Sequence, residues 1–273
     1  KRWVQTSKIP IKDEQGSITG ILGVSTDITE RKKQEKRVEQ FAANASHELK
    51  TPVTVLQQTV ENLQKYRGKM SEEMIDEMLE DIYSNAELLS RLIQELLLLS
   101  RMDDGQLTLE LESFKLKELI EKDVLRFLGP KHEEKEVHIE VDVKSEIELF
   151  ADPQKISQVL KILVDNAIKY SDPSSQVSIR AIRIDNKENR EGEKREGILI
   201  TIEDQGIGIS REALPHLFDR FYRAKNVRHT QGTGLGLAIA KKLTELHEGE
   251  IQVESREQEG TTVSVFIPDL STE

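Results

Sequence analysis

The sequence contains no cysteine among its 273 residues, which excludes disulfides, thiolate nucleophiles and cysteine-based zinc or iron–sulfur sites. A reducing cytosol fits that composition. No apolar run approaches the roughly 18 residues of a membrane span, and no signal-peptide pattern precedes Trp3, so no membrane contact is expected within these residues. Positive charge is not in excess: 39 Lys and Arg against 50 Asp and Glu give a net charge of -11. That balance argues against binding a phosphate backbone, and nucleic acid is not an expected partner. There is no internal repeat. His132, His138, His216, His229 and His247 lack metal-ligand spacing and read as surface or structural histidines. The chain starts at Lys1 and not at Met, which suggests a fragment.

What is present falls into about two ordinary domains by length. Residues 1–28 alternate apolar and polar positions on either side of Asp13-Glu14-Gln15-Gly16, with Ile9 and Ile11 before the turn and Ile18, Ile21 and Val24 after it. The pattern predicts a β-hairpin, too small to stand alone, that completes a larger sheet. From about Arg31 to Tyr66 the period becomes helical, with Val38, Ala42, Ala45, Leu49, Pro52, Leu56, Thr59 and Leu63 at alternating spacings of four and three. A second helix from about Glu72 to Met102 repeats this at Ile75, Leu79, Ile82, Ala86, Leu89, Ile93 and Leu96. A turn through Arg67-Gly68-Lys69 joins the two. Surplus apolar residues at Met74, Met78, Leu88, Leu92 and Leu97 to Leu99 exceed what one hairpin buries, so two copies are expected to share a dimeric antiparallel four-helix bundle.

Beyond Asp103-Asp104-Gly105, strands and helices alternate. Strands are predicted at Val137 to Val143, Glu148 to Ala151, Val177 to Ile184, Ile198 to Asp204, Ile251 to Ser255 and Thr262 to Ile267. Helices are predicted at Leu116 to Leu128, Pro153 to Tyr170 and Leu235 to Leu246, giving an α+β sandwich of one sheet backed by helices. The polar run Asp185 to Gly197 reads as a solvated strand connection. The expected boundaries are 1–28, 29–103, a linker at 104–112, and 113–273.

Two places carry chemistry. With Ala42 and Ala45 at the a and d positions of a heptad, His47 falls at f, facing solvent. An exposed imidazole at its ordinary pKa of about 6.5 is largely neutral at physiological pH and has a ring nitrogen free to attack an electrophile. Thr51 lies one turn on along the same face, and Pro52 frees the carbonyl of Glu48 and bends the helix. In the second domain, Asp152 caps and Pro153 opens a helix with a core stripe of Ile156, Leu160, Leu163 and Ala167. Beside the stripe, Asn166, Lys169 and Tyr170 offer an amide for Mg2+ and a cation for phosphate. Asp204-Gln205-Gly206-Ile207-Gly208 follows a strand, with a carboxylate for an amino group and glycines for close approach to a flat ring. Gly232-Thr233-Gly234-Leu235-Gly236-Leu237 opens a helix whose amides favour anions. Taken singly, each signal is equally a plain turn, cap or helix entry. A Walker A loop is excluded because no Gly-Lys-Ser/Thr follows, and a dinucleotide fold because no strand runs into Gly232.

The stretch Phe41-Ala42-Ala43-Asn44-Ala45-Ser46-His47-Glu48-Leu49-Lys50-Thr51-Pro52 is similar, almost position for position, to the H box of sensor histidine kinases. Asn166 to Tyr170, Asp204 to Gly208, Phe218 to Phe221 and Gly232 to Gly236 resemble the N, G1, F and G2 boxes of the histidine-kinase ATPase domain. That domain is of the GHKL type, sharing its nucleotide fold with gyrase, Hsp90 and MutL. Trp3, Gly16, Gly20, Gly23 and Asp27-Ile28-Thr29-Glu30-Arg31 look like the last strands of a PAS domain.

The resemblance implies that His47 accepts the γ-phosphoryl group of ATP and passes it to an aspartate on a response-regulator receiver domain. It implies Glu48 as base or orienting group and Thr51 as positioning water for dephosphorylating that partner. Asp204 would read adenine, Asn166 hold Mg2+, and Lys169 and Arg223 contact phosphate. Tyr170, Gly206, Gly208, Gly232, Thr233, Gly234, Leu235 and Gly236 would line the nucleotide under a lid from about Ile209 to Gln231. A homodimeric, cytoplasmic kinase core is implied, with any membrane anchor upstream. One departure stands out: the family often has a second asparagine four residues before the metal ligand, where this chain has Ile162, which implies weaker or more hydrated metal binding. A phosphatase-only or inactive ATP-binding scaffold, and an ATPase clamp of the GHKL type, remain as alternatives.

Overall fold

The computed structural model describes residues 2–12, 14, 16–129, 135–188, 194–224 and 232–269. They form two compact units, 1–90 and 91–273. The first begins with an antiparallel ribbon of β1 (Val4–Lys12) and β2 (Ile18–Asp27), paired from Val4 opposite Asp27 to Ile11 opposite Gly20. Val4, Ile9, Ile11, Ile18, Ile21, Leu22 and Val24 are all exposed. A two-stranded ribbon has a second face but nothing to bury it against. The chain then enters α1 (Thr29–Tyr66), turns through a 3-10 segment at Arg67–Lys69, and returns as α2 (Glu72–Asp103).

Within α1, Pro52 removes one backbone donor at a buried position. Neighbouring hydroxyls take up carbonyls over this stretch: Ser46 donates to Ala42 O (2.8 Å), Thr51 to His47 O (3.2 Å) and Thr54 to Lys50 O (2.9 Å). In α2 the expected seam is only partly realised. Leu79 and Ile93 are exposed, whereas Leu92, Leu99 and Met102 are at most 3% exposed. The buried stripe of the last turns has shifted off the Ile93–Leu96 line, because these turns fold with the second unit.

The second unit is built on a five-stranded sheet in the order β4-β6-β7-β9-β8, with β4 (His138–Val143), β6 (Gln176–Glu188), β7 (Lys194–Asp204), β8 (Glu250–Arg256) and β9 (Gly260–Pro268). Only β4 and β6 are parallel; the other pairs are antiparallel. A separate pair joins β3 (Glu112–Lys115) to β5 (Glu148–Ala151). Val177, Ile179 and Ala181 on β6 and Ile198, Ile200 and Ile202 on β7 alternate into the core, the period-2 pattern of a half-covered sheet.

Helices accompany the sheet: α3 (Leu116–Leu119) with a π-helical continuation at Ile120–Leu125, α4 (Pro153–Tyr170) and α5 (Gly236–Leu246), besides a short 3-10 turn at Leu214–His216. The expected stripe of α4, Ile156, Leu160, Leu163 and Ala167, is buried throughout, each large side chain contributing about 1.5–3 kcal/mol. The helix expected at Leu116 to Leu128 contains the π-helical turn. Its buried residues, Leu116, Ile120, Val124 and Leu128, recur every four positions. On an α-helix each such step drifts by about 40°, and the wider π turn keeps them on one face. The strands flanking the polar run are longer than expected, since Lys187 pairs with Arg195 and Glu188 with Lys194.

Candidate functional site

His47 projects from the middle of α1 with its side chain 80% exposed, as the heptad requires. Glu48 Oε1 lies 3.5 Å from His47 Nδ1, a long contact in which the carboxylate accepts from the tautomer that carries its proton on Nδ1, the one that leaves the Nε2 lone pair free. Thr51 is anchored by its bond to the His47 carbonyl.

In the second unit the separate motifs meet. The N-terminus of α4 is set by Asp152, whose side chain accepts from Gln154 N and Lys155 N, and its last turn presents Asn166, Lys169 and Tyr170. The Tyr170 carbonyl accepts from Ile207 N at 3.1 Å and blocks any side chain at Gly206. The Lys169 ammonium lies 2.7 Å from where a Gly232 Cβ would be, and Ile162 Cγ2 lies 3.2 Å from the corresponding point on Gly236. One face of α4 therefore carries Asn166 between the loop after β7 and the loop before α5. Phe221 N donates to Gly234 O at 2.9 Å. Gly234 is left-handed (φ +70°), with Phe221 Cα 2.9 Å from its would-be Cβ, so a larger residue fails there on both counts. Phe221 is itself left-handed at φ 62°, backbone strain of the kind that gathers at functional sites. Arg223 acts on Tyr170, its charge opposing the burial that pushes the phenol up.

Asp204 is buried at the end of β7 and accepts from Gly206 N at 2.9 Å. Burial pushes its carboxyl up, while the Gly206 and Thr261 amides pull it down. The turn between β8 and β9 braces this loop: Gln258 N donates to Ile207 O, and Ser255 Oγ accepts from Ile209 N, both at 2.9 Å. Sequence reading passed over this brace, although Gly260, left-handed at φ +104° against the Asp204 carbonyl, was its visible sign. His247, read from the sequence as a surface or structural histidine, is structural. That ring is wholly buried, with Nδ1 donating to Leu243 O at 2.8 Å and Nε2 accepting from Asp152 N at 3.1 Å. It ties the end of α5 to the cap of α4.

The expected residues of the N, G1, F and G2 segments thus converge through their backbones. The part of the expected lid at 225–231 lies outside the described residues, as do His132 and His229. Glycines backed by fixed main chain, a buried carboxylate and an amide with a lysine suit a flat ring joined to phosphates. Among the described residues no cluster of three or more His, Asp or Glu could hold a metal by itself.

Three family models match the chain: the PAS fold at residues 1–33, the His Kinase A (phospho-acceptor) domain at 37–105, and the histidine kinase-, DNA gyrase B- and HSP90-like ATPase at 151–271. Sensor histidine kinase WalK of Bacillus subtilis is 33% identical over 267 residues, covering 94% of this chain and 41% of that protein. Sensor protein kinase WalK of Staphylococcus aureus is 34% identical over 263 residues, covering 94% of this chain and 60% of that protein. The chain thus spans about half the length of these relatives. Among solved structures, the Acinetobacter baumannii histidine kinase AdeS superposes with a TM-score of 0.66 at 28% identity, over 82% of this chain and 98% of that one. Histidine kinase ThkA, solved in complex with the response regulator protein TrrA, shares the fold at a TM-score of 0.63 and 21% identity, over 97% of this chain and 74% of that one. The phospho-acceptor and ATPase models, with these relatives, place this chain in the family of the sensor histidine kinases.

Proposed function

We propose that the chain is the core of an autokinase that transfers the γ-phosphoryl group of ATP to His47, and from His47 to an aspartate of a response-regulator receiver domain. The observation that carries this reading is the occurrence, in one chain, of an imidazole held in solvent and of glycine-bearing loops gathered around the end of α4, an arrangement that suits a nucleoside triphosphate. Asp204 accepts the adenine amino group. Lys169 and Arg223 meet phosphate oxygens, and Thr233 and the amides at the start of α5 favour the same charge. Bound Mg2+ would supply charge neutralisation, with Asn166 as its one side-chain ligand.

The Nε2 lone pair forms the new N–P bond as the bond from phosphorus to the leaving oxygen of ADP breaks. Glu48 holds the Nδ1 proton and so stabilises the ring as it gains positive charge. In the return reaction that removes phosphate from the partner, Thr51 positions water. The exposed apolar residues of the hairpin support a homodimer through a four-helix bundle. The proposed domains are a PAS remnant at 1–28, the phospho-acceptor hairpin at 29–103, a linker at 104–112 and the catalytic domain at 113–273.

Incubation with Mg2+ and γ-labelled ATP tests the reading. The expected label is acid-labile and alkali-stable, and is absent from His47→Ala and from Asn166→Ala. ATP hydrolysis without any protein label, unaffected by His47→Ala, would instead identify an ATPase clamp.

A further inference from the structure

The last turns of α2 belong to the same compact unit as the nucleotide residues. Their buried stripe of Leu92, Leu99 and Met102 has a carboxylate in its middle, Glu95, where the period calls for an apolar residue. Thr233 acts on the Glu95 carboxylate, lowering its pKa against the burial that raises it, and Oε2 is buried with no hydrogen-bond partner among the described residues. Arg91, one turn back, is the cation acting on it. A half-satisfied carboxylate costs stability and is not explained by packing. Two turns further on, both oxygens of Asp103 accept from Arg220 at 2.7 Å. Arg220 lies in the Phe218 to Phe221 segment, and Thr233 stands two residues before Leu235, the cap of α5, where helix amides favour an anion.

We propose that the end of α2 is a latch antagonised by nucleotide. Glu95 and Asp103 engage Thr233 and Arg220 in place of a triphosphate, so that latch and nucleotide weaken each other by the same factor. The inference rests on the nucleotide site proposed above. The orphaned Oε2 fits a contact made to be broken: a carboxylate that leaves when phosphate arrives gains full solvation.

Two measurements on the full chain test it. Calorimetry with Mg-ATP is expected to show about three- to tenfold tighter binding for Glu95→Ala and for Asp103→Asn, the range of one lost competing hydrogen bond. In the wild type, saturating Mg-ATP is expected to speed amide hydrogen exchange across residues 91–103. Unchanged or weaker binding by the variants, or exchange that stays constant or slows, overturns the latch. A wild type that binds no nucleotide overturns the site itself, a different failure. Should Glu95→Ala lose its cooperative melting transition, Asp103→Asn, on a half-exposed bridge, gives the same reading.

Discussion

Glu48 and Asp204 are both carboxylates, but their surroundings assign them different work. Glu48 sits beside an exposed ring with its Oε1 against Nδ1, so on the proposed reading its loss acts on the transfer step. Glu48→Gln is expected to slow His47 labelling by about 100-fold, the low end of acid–base contributions, and to leave the Kd for ATP unchanged. A matching loss of ATP binding would contradict that assignment. Asp204 is buried and held by two backbone amides, and the proposed reading gives it the adenine amino group. Asp204→Asn keeps the shape but presents an amide of the wrong polarity to the adenine amino group. Binding measured by titration calorimetry is expected to weaken by at least about tenfold, as for loss of a charge-assisted hydrogen bond.

At the scale of elements, α4 was readable because every cue agreed: an Asp-Pro start, a stripe at helical spacing and an end at Tyr170. The ends of β6 and β7 were not, since charged residues at 187 and 195 suit a loop until they pair across strands. Glu95, His247 and the turn at Gly260 share another obstacle: each acts on a partner far along the chain, such as Asp152 for His247, and no local period encodes that. The His247 tie makes a pH prediction. Burial holds this imidazole below its ordinary value of 6.5, so the unfolded chain binds the proton more readily than the folded one. Its contribution to stability is complete above pH 6.5 and is lost progressively as pH falls below it. Denaturant unfolding of the second unit is expected to weaken over that window in the wild type and to do so less in His247→Gln. Parallel curves would contradict the assignment.

For the whole molecule, the hairpin leaves Val55, Met74 and Leu79 in water, a cost that a second copy removes. Leu79→Glu is expected to shift sedimentation from dimer toward monomer at micromolar concentration, whereas an unchanged dimer would place the interface elsewhere. This level was legible in the sequence, because a surplus of apolar residues at heptad spacing by itself calls for a partner surface. The choice of face by the end of α2 was not, since Leu92, Leu99 and Met102 compete with Ile93 and Leu96 on equal terms until the second unit folds.

The proposed chemistry converges on one nitrogen. Peptide mapping of the wild-type chain after exposure to Mg-ATP, by mass spectrometry under alkaline conditions, tests it most directly. The account predicts a single phosphoryl group on the peptide containing His47, carried on the imidazole Nε2. Phosphate on another residue, or none on that ring while nucleotide is bound, would contradict it.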